Sequence, residues 1–241
     1  MCTKKIVLSL AVSYFAVVLV AQERDSEAAK GDRIAALKQL LTKNQAALKQ
    51  YTWTETTQIS LNGEVKRQEE KQCQYGPDGK VQKTPIGGGS ESQEQQAGGR
   101  GRRGGRLKQQ IVEKKTGEMK DYMERVGALV REYVPPNSEK IQAATAAGNV
   151  AVTRGQPVTT ITIKNYLKQG DSVALSFDMT ERKIASYNVN SYLDSPTEDP
   201  VKLTATFAQL PDGTNHVQQN VLDATAKKIQ VRTTNSNYRK L

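Results

Sequence analysis

Closely spaced turn signals after Val150 constrain the fold of this chain most. They are Arg154-Gly155, Gln169-Gly170-Asp171, Thr180-Glu181-Arg182 and Pro211-Asp212-Gly213, and they separate segments that are rich in β-branched residues. Parallel strands need connections of a dozen or more residues, and these connections are much shorter. The sequence therefore predicts an antiparallel sheet with strands near 150–154, 158–166, 171–178, 183–192, 201–209, 215–221 and 228–237.

A second β-rich region lies between residues 51 and 85. Its Asn62-Gly63 dipeptide is a strong hairpin signal, because both central residues of the tightest hairpin turn take positive φ. Pro77-Asp78-Gly79 marks a further turn. We predict strands at 51–61, 64–75 and 80–85, joined as a meander.

Helical periodicity appears on both sides of this region. Apolar residues at near-helical spacing behind Asp32 predict a helix over 32–49. An apolar stripe from Met119 to Tyr133 predicts a second helix, and Ser138 is expected to cap a short third helix through Ala147. The element order predicts an α+β fold with one curved antiparallel sheet and helices against one face.

The N-terminus predicts export. Lys4 and Lys5 precede an apolar run from Ile6 to Val20, and Ala21 follows, which is typical of a secretory signal peptide. The run is shorter than the roughly 20 residues that span a bilayer; a retained anchor is the alternative. We expect residues 1–21 to be cleaved, residues 22–241 to form a single domain, and the mature protein to be periplasmic or secreted.

Charge and cysteine content restrict the partners and the covalent chemistry. The formal net charge of +10 favours anionic partners but does not choose among nucleic acid, membrane headgroups and acidic polymers. Cys2 would leave with the signal peptide, so Cys73 would be the one cysteine of the mature chain and no internal disulfide could form. Cys73 is expected to be a buried thiol or a site of intermolecular bonding, and the protein is expected to be a monomer.

The segment GGGSESQEQQAGGRGRRGGR at 87–106 has no apolar period, which predicts a disordered insertion. Its arginines suit contacts with an anionic membrane surface or an envelope polymer; these are Arg100, Arg102, Arg103 and Arg106. The segment contains no aromatic residue that could stack on bases. An exported protein also does not meet cytoplasmic RNA, so specific nucleic-acid recognition is not expected.

Residues that could support catalysis are sparse. His216 is the only histidine, and one His with one Cys is too few for a structural zinc site. We expect His216 to face solvent or to make an ordinary hydrogen bond. Carboxylate pairs such as Glu69-Glu70 lie in turns or beside opposite charges, so they are poor candidates for acid–base chemistry. The sequence predicts no enzymatic activity, no metal and no cofactor.

Two stretches carry a resemblance to a known family. They are LKQYTWTETTQISLNG, after the first predicted helix, and the C-terminal VKLTATFAQLPDGTNHVQQNVLDATAKKIQVRTTNSNYRKL. With the element order, they resemble the outer-membrane lipoprotein-carrier (LolA/LolB-like) superfamily over residues 32–241. The resemblance implies a half-barrel, that is, a strongly curved antiparallel sheet with helices packed on its concave face. It also implies that a lipid or a lipoprotein acyl chain is bound between them.

The implied groove would be lined by aromatic residues of the sheet and by the apolar helix stripe: Trp53, Met119, Met123, Val126, Val130, Phe177 and Phe207. The same stripe is also compatible with an ordinary core face. Two functions therefore stay open. One is an exported lipid-binding protein with an apolar void of roughly several hundred Å³. The other is a non-catalytic structural or interaction module with a filled core, whose basic loop contacts an anionic surface or a protein partner.

Overall fold

The structure is a computed structural model that describes residues 42–86 and 105–241. Helix α1 occupies residues 42–48 and precedes strands β1 (Tyr51–Leu61), β2 (Glu64–Tyr75) and β3 (Val81–Pro85). Helices α2 (Gly105–Arg131) and α3 (Ser138–Ala146) follow. The remaining elements are β4 (Val150–Thr153), β5 (Val158–Lys164), β6 (Ser172–Asp178), β7 (Lys183–Tyr192), β8 (Pro200–Gln209), β9 (Asn215–Ala224), a 3₁₀ turn (Thr225–Lys227) and β10 (Ile229–Lys240).

The described strands form one sheet in the order β3-β2-β1-β10-β9-β8-β7-β6-β5-β4. Every neighbouring pair is antiparallel. The sheet is not closed, and β3 and β4 form its two edges. The predicted α+β class with an antiparallel sheet is therefore confirmed. Only β1 and β10 are neighbours that do not follow each other among the strands of the chain.

Element bounds agree with the predicted ones within a few residues, with three corrections. Helix α2 begins at Gly105, so the last two residues of the predicted insertion are helical. Asn137, and not Ser138, caps α3, because the Asn137 side chain accepts hydrogen bonds from two backbone amides of the first turn. Strand β9 continues to Ala224. Residues 32–41 of the predicted first helix lie outside the described residues, and no helix within 42–86 and 105–241 is long and apolar enough to cross a membrane.

The hairpin between β1 and β2 has the geometry that its sequence requires. Asn62 has φ +54° and Gly63 has φ +85°, which fits a two-residue turn with two left-handed positions. Gly213 at the β8–β9 turn also has a positive φ. These turns fix the strand registers, and the registers decide which side chains share a face of the sheet.

The core lies on one face of the sheet, which we call the inner face. One buried cluster joins α2 and α3 to β5–β8 and includes Val130, Ile141, Ile161 and Tyr187. A second cluster packs Tyr122 and Val126 of α2 against the ends of β8, β9 and β10. The opposite face, which we call the outer face, contributes no residue to either cluster.

Replacing Gly63 by alanine tests the turn geometry. No atom lies within 4 Å of the added Cβ, so the penalty comes from the left-handed backbone and is expected to be about 1–2 kcal/mol of unfolding free energy. Gly117 is the matched control, because it lies within α2 and also has open space around an added Cβ. Gly117→Ala should stabilise by about 0.5–1 kcal/mol. Urea unfolding measures both, and shifts of the same sign would contradict this account.

Candidate functional site

The seven predicted groove residues are distributed over three clusters. Trp53 belongs to an aromatic cluster near the start of β1. Met119, Met123 and Val126 belong to the core cluster at the ends of β8, β9 and β10. The others, Val130, Phe177 and Phe207, belong to the core cluster that spans β5–β8. Val126 and Val130 are almost fully buried, so these two side chains act as core.

A small cavity lies beside the helix stripe. It is enclosed by α2 and by strands β7 and β8, and Val130, Tyr133 and Val189 are among its lining residues. Its volume is about 10 Å³, which is room for about one water molecule. Pockets that hold lipid-sized ligands measure roughly 300–1,000 Å³. At this place, the space between α2 and the sheet is far smaller than such a ligand.

A buried hydrogen-bond network fixes the C-terminal end of α2 to the sheet. Asp171 is 2% exposed and accepts hydrogen bonds from the backbone amides of residues 166–168 at 2.6–3.0 Å. The Tyr133 hydroxyl donates to Asp171 at 2.6 Å and lies 2.8 Å from the Ser191 hydroxyl. The Tyr187 hydroxyl donates to the Tyr133 carbonyl at 2.7 Å. One donor on Oδ1 and three on Oδ2 make this buried carboxylate a structural lock between Tyr133 and the turn before β6.

An aromatic cluster closes the other end of the inner face. Trp53 stacks on Tyr238 with ring centroids 5.7 Å apart and contacts Tyr75 at 5.6 Å. Tyr51 lies 6.4 Å from Tyr238 and donates a 2.6 Å hydrogen bond to Asp212. This bond and those from Thr214 lower the pKa of the Asp212 carboxyl to about 2. Trp53 is 7% exposed, so in this structure its ring is covered by protein.

His216 belongs to the same cluster, so the predicted alternative that it faces solvent is wrong. The other alternative, an ordinary hydrogen bond, is confirmed, because its Nδ1 lies 3.2 Å from the Val217 carbonyl oxygen. His216 is 8% exposed and its ring lies 4.3 Å from that of Tyr238. Burial lowers the pKa of His216 below its usual value. The sequence alone could not assign His216 to a face of the sheet, because a register shift near Val217 interrupts the alternation of side chains along β9.

Cys73 is buried, as one of the two predicted alternatives states. It is fully buried, and burial raises the pKa of its thiol to about 11. Such a thiol is not a nucleophile near neutral pH. Its neighbour Lys83 forms an ion pair with Glu55 at 2.5 Å, with both side chains less than one-fifth exposed.

The inner face becomes polar where β9, β10 and β1 meet. Asn220 and Thr233 are paired across β9 and β10, and Thr57 lies opposite Thr233 with a hydroxyl–hydroxyl distance of 3.4 Å. Glu55 lies opposite Asn235 in the next position. The side-chain oxygens of Asn220 and Asn235 are buried and have no hydrogen-bond partner in the part of the chain that the structure describes. A polar surface of this kind does not suit an acyl chain, because covering it would add to the cost of unpaired polar groups.

The outer face carries two long rows of mostly uncharged side chains, many of them polar. Strand register places one residue from each of nine strands in the first row, which begins with Thr153, Thr160, Ser176, Ser186, Thr206 and Gln219. It continues through Thr234 and Thr56 and ends at Glu70. None of these side chains is buried. The row could not be read from the sequence, although alternating threonines in β1 and β5 are a partial signal of it.

A second row runs beside the first. It starts with Ala151, Thr162, Ala174, Asn188, Thr204 and Val221, and ends with Arg232, Gln58 and Gln68. Hydrogen bonds connect members of both rows: the Thr160 and Ser176 hydroxyls are 2.9 Å apart, and Gln58 donates to Gln68 at 2.9 Å. Each row thus contains a single charged residue, and it lies toward the β2 side.

The predicted anion-contact residues lie largely beyond the described chain. Arg100, Arg102 and Arg103 are outside the described residues, and Arg106 lies in the first turn of α2. The carboxylates of Glu69 and Asp178 are engaged locally, Glu69 with Lys71 and Asp178 with backbone amides of its turn. Within residues 42–86 and 105–241, no group of three or more His, Cys, Asp or Glu could hold a metal ion.

No family model, curated protein or solved structure matches this chain. The relationship to the lipoprotein-carrier superfamily therefore stays a prediction that rests on the sequence pattern.

Replacing Tyr133 by phenylalanine tests the structural lock. The substitution leaves Asp171 and Ser191 each without one buried partner, so unfolding free energy should fall by about 1–3 kcal/mol. Tyr192→Phe is the control, because its hydroxyl also donates one 2.7 Å hydrogen bond, to the Gln169 carbonyl, but at an exposed site. That control should change stability by less than about 0.5 kcal/mol. Equal losses in the two variants, measured by urea unfolding, would contradict the assignment.

The buried imidazole of His216 predicts a pH dependence of stability. Its folded pKa lies below the ordinary value of 6.5, so the unfolded chain binds the proton more tightly. The stabilisation is complete above pH 6.5 and is lost as the pH falls through and below that value. His216→Gln should flatten the change in unfolding free energy between pH 7 and pH 5. Asp212→Asn should leave this interval unchanged, since Asp212 titrates at lower pH; an unaltered slope in His216→Gln would refute the prediction.

Proposed function

We propose that this protein is a non-catalytic interaction module of the cell envelope, and that it binds its partner through the outer face of the sheet. The observation that carries this proposal is the pair of rows that cross nine strands and carry no charged side chain between β4 and β9. Interface centres are depleted in charged residues relative to the rest of a protein surface. The small size of the cavity beside α2 supports the same function, because core side chains occupy this part of the inner face.

Export belongs to this proposal. The predicted signal peptide at 1–21 would release a periplasmic or secreted protein, and the basic segment with Arg100, Arg102 and Arg103 would add a weak, salt-sensitive attraction to anionic surfaces. The closed Asp171 network and the high thiol pKa of Cys73 support a non-catalytic role.

A lipid carrier is the second candidate. The open antiparallel sheet with Met119 and Met123 of α2 in contact with its core supports this candidate, because methionine side chains adapt to irregular apolar ligands. In this proposal the sheet is strongly curved, the helices lie on its concave side, and α2 moves outward to widen the 10 Å³ cavity into a groove. That motion would have to break the contact between Tyr133 and Asp171.

A single charge on the outer face separates the two candidates. Thr206→Glu puts a carboxylate in the middle of the first row, and Gln142→Glu puts the same charge on the exposed surface of α3. Sedimentation with the insoluble envelope fraction of expressing cells should be at least about tenfold weaker for Thr206→Glu, because binding would bury an unpaired charge. Gln142→Glu should sediment like the wild type.

Solvent extraction of the purified protein completes this test. Mass spectrometry should find no lipid in stoichiometric amount if the protein is an interaction module. Stoichiometric lipid, together with unchanged sedimentation of Thr206→Glu, would favour the carrier and reject the proposed function.

A further inference from the structure

We propose that the partner of the outer face is a neutral polysaccharide that lies across the strands along the two rows. This inference rests on the proposed function and names the chemical class of the partner. The argument depends on the charge, the hydrogen-bonding groups and the dimensions of the rows.

Charge is the first observation. One quarter of all residues in this chain are charged, and its net charge is +10. Between β4 and β9, however, neither row contains a charged side chain. A nucleic acid or an anionic membrane would be bound by clustered lysine and arginine. The two rows carry neither between β4 and β9, and the adjacent row on the same face sets Lys164 and Lys202 against Asp223. The rows themselves are therefore complementary to a partner that carries no net charge.

Hydrogen-bonding chemistry is the second observation. Hydroxyl and carboxamide groups both donate and accept hydrogen bonds, and so do the hydroxyls of sugars. Protein partners are usually anchored by tryptophan, tyrosine, methionine or arginine. The rows contain no aromatic residue and no methionine, and Arg232 lies near one end. A hydroxyl-rich chain suits this surface better than a protein does.

Dimensions are the third observation. Neighbouring strands are spaced about 4.8 Å apart, so a row of nine strands is about 40 Å long. Small ligands bind in concave pockets, whereas these rows are open along their length. An extended polymer can make a weak contact at each strand, and the sum of many weak contacts gives useful affinity. The side chains are also restrained before binding, because Ser186 accepts a hydrogen bond from Asn188 and Thr234 accepts one from Gln219.

Co-sedimentation of the full chain with cellulose, chitin and starch granules tests the proposal. The wild type should bind at least one of these neutral polymers. Binding should persist from 0.05 to 1 M NaCl, because uncharged contacts are not screened by salt. Thr206→Glu and Asn188→Glu, one in each row, should each lower the bound fraction at least tenfold, and Gln142→Glu should not. Circular dichroism and thermal melts establish whether each variant is folded. If one of the two row variants does not fold, the other is sufficient for the test.

The outcomes separate this inference from the proposed function. If the wild type binds none of the three polymers, or binds only a polyanion such as heparin in a salt-sensitive way, the polysaccharide assignment is overturned. If sedimentation with the envelope fraction still depends on Thr206 in that case, the proposed function stands with a different partner. Loss of envelope binding after protease treatment of that fraction would assign the outer face to a protein partner and would also overturn the inference.

Discussion

The pairing of β1 with β10 is the contact on which the rest of the structure depends. Every other pair of neighbouring strands is consecutive among the strands of the chain, so short turns can form it locally. The β1–β10 ladder instead joins residues such as Thr57 and Thr233, which lie at opposite ends of the described chain. Without it, the three N-terminal strands and the seven C-terminal strands would be separate sheets. Because β1 and β10 pair, both outer rows continue from β4 to β2, and the inner face is one continuous surface.

The two faces of the sheet differ in the contacts that they make. On the inner face, apolar packing is strongest against β5–β8, and the Tyr133–Asp171 contact holds the end of α2 in place. Toward β9, β10 and β1 the inner face is polar and carries the unpaired amide oxygens of Asn220 and Asn235. Each such oxygen costs about 1–3 kcal/mol, so this part of the inner face is less stable than the rest.

Local features of the fold were accessible from the sequence, and features set by register were not. Asn62-Gly63 predicted a hairpin because two left-handed positions restrict the residue choice, and the helix stripe with Val126 and Val130 predicted a buried face. The faces near His216 and Phe207 could not be predicted, because a register shift between β8 and β9 interrupts the alternation there. The outer rows were inaccessible for the same reason: they depend on the registers of eight strand pairs at once. Among the candidate site residues, the sequence identified apolar side chains but not the clusters that they join.

A rigid scaffold with rows of mostly uncharged side chains fits a particular mode of binding. Because the outer face is built on ladder-paired strands and packs against a closed core from behind, binding requires little ordering of the protein. Most of the entropy cost of association then falls on the partner. A stiff polymer chain has few internal freedoms to lose, so it is a better partner for weak, repeated hydrogen bonds than a flexible one. In the proposed function, basic residues outside the two rows attract the protein to an anionic surface, and the uncharged part of the rows between β4 and β9 determines what is bound there.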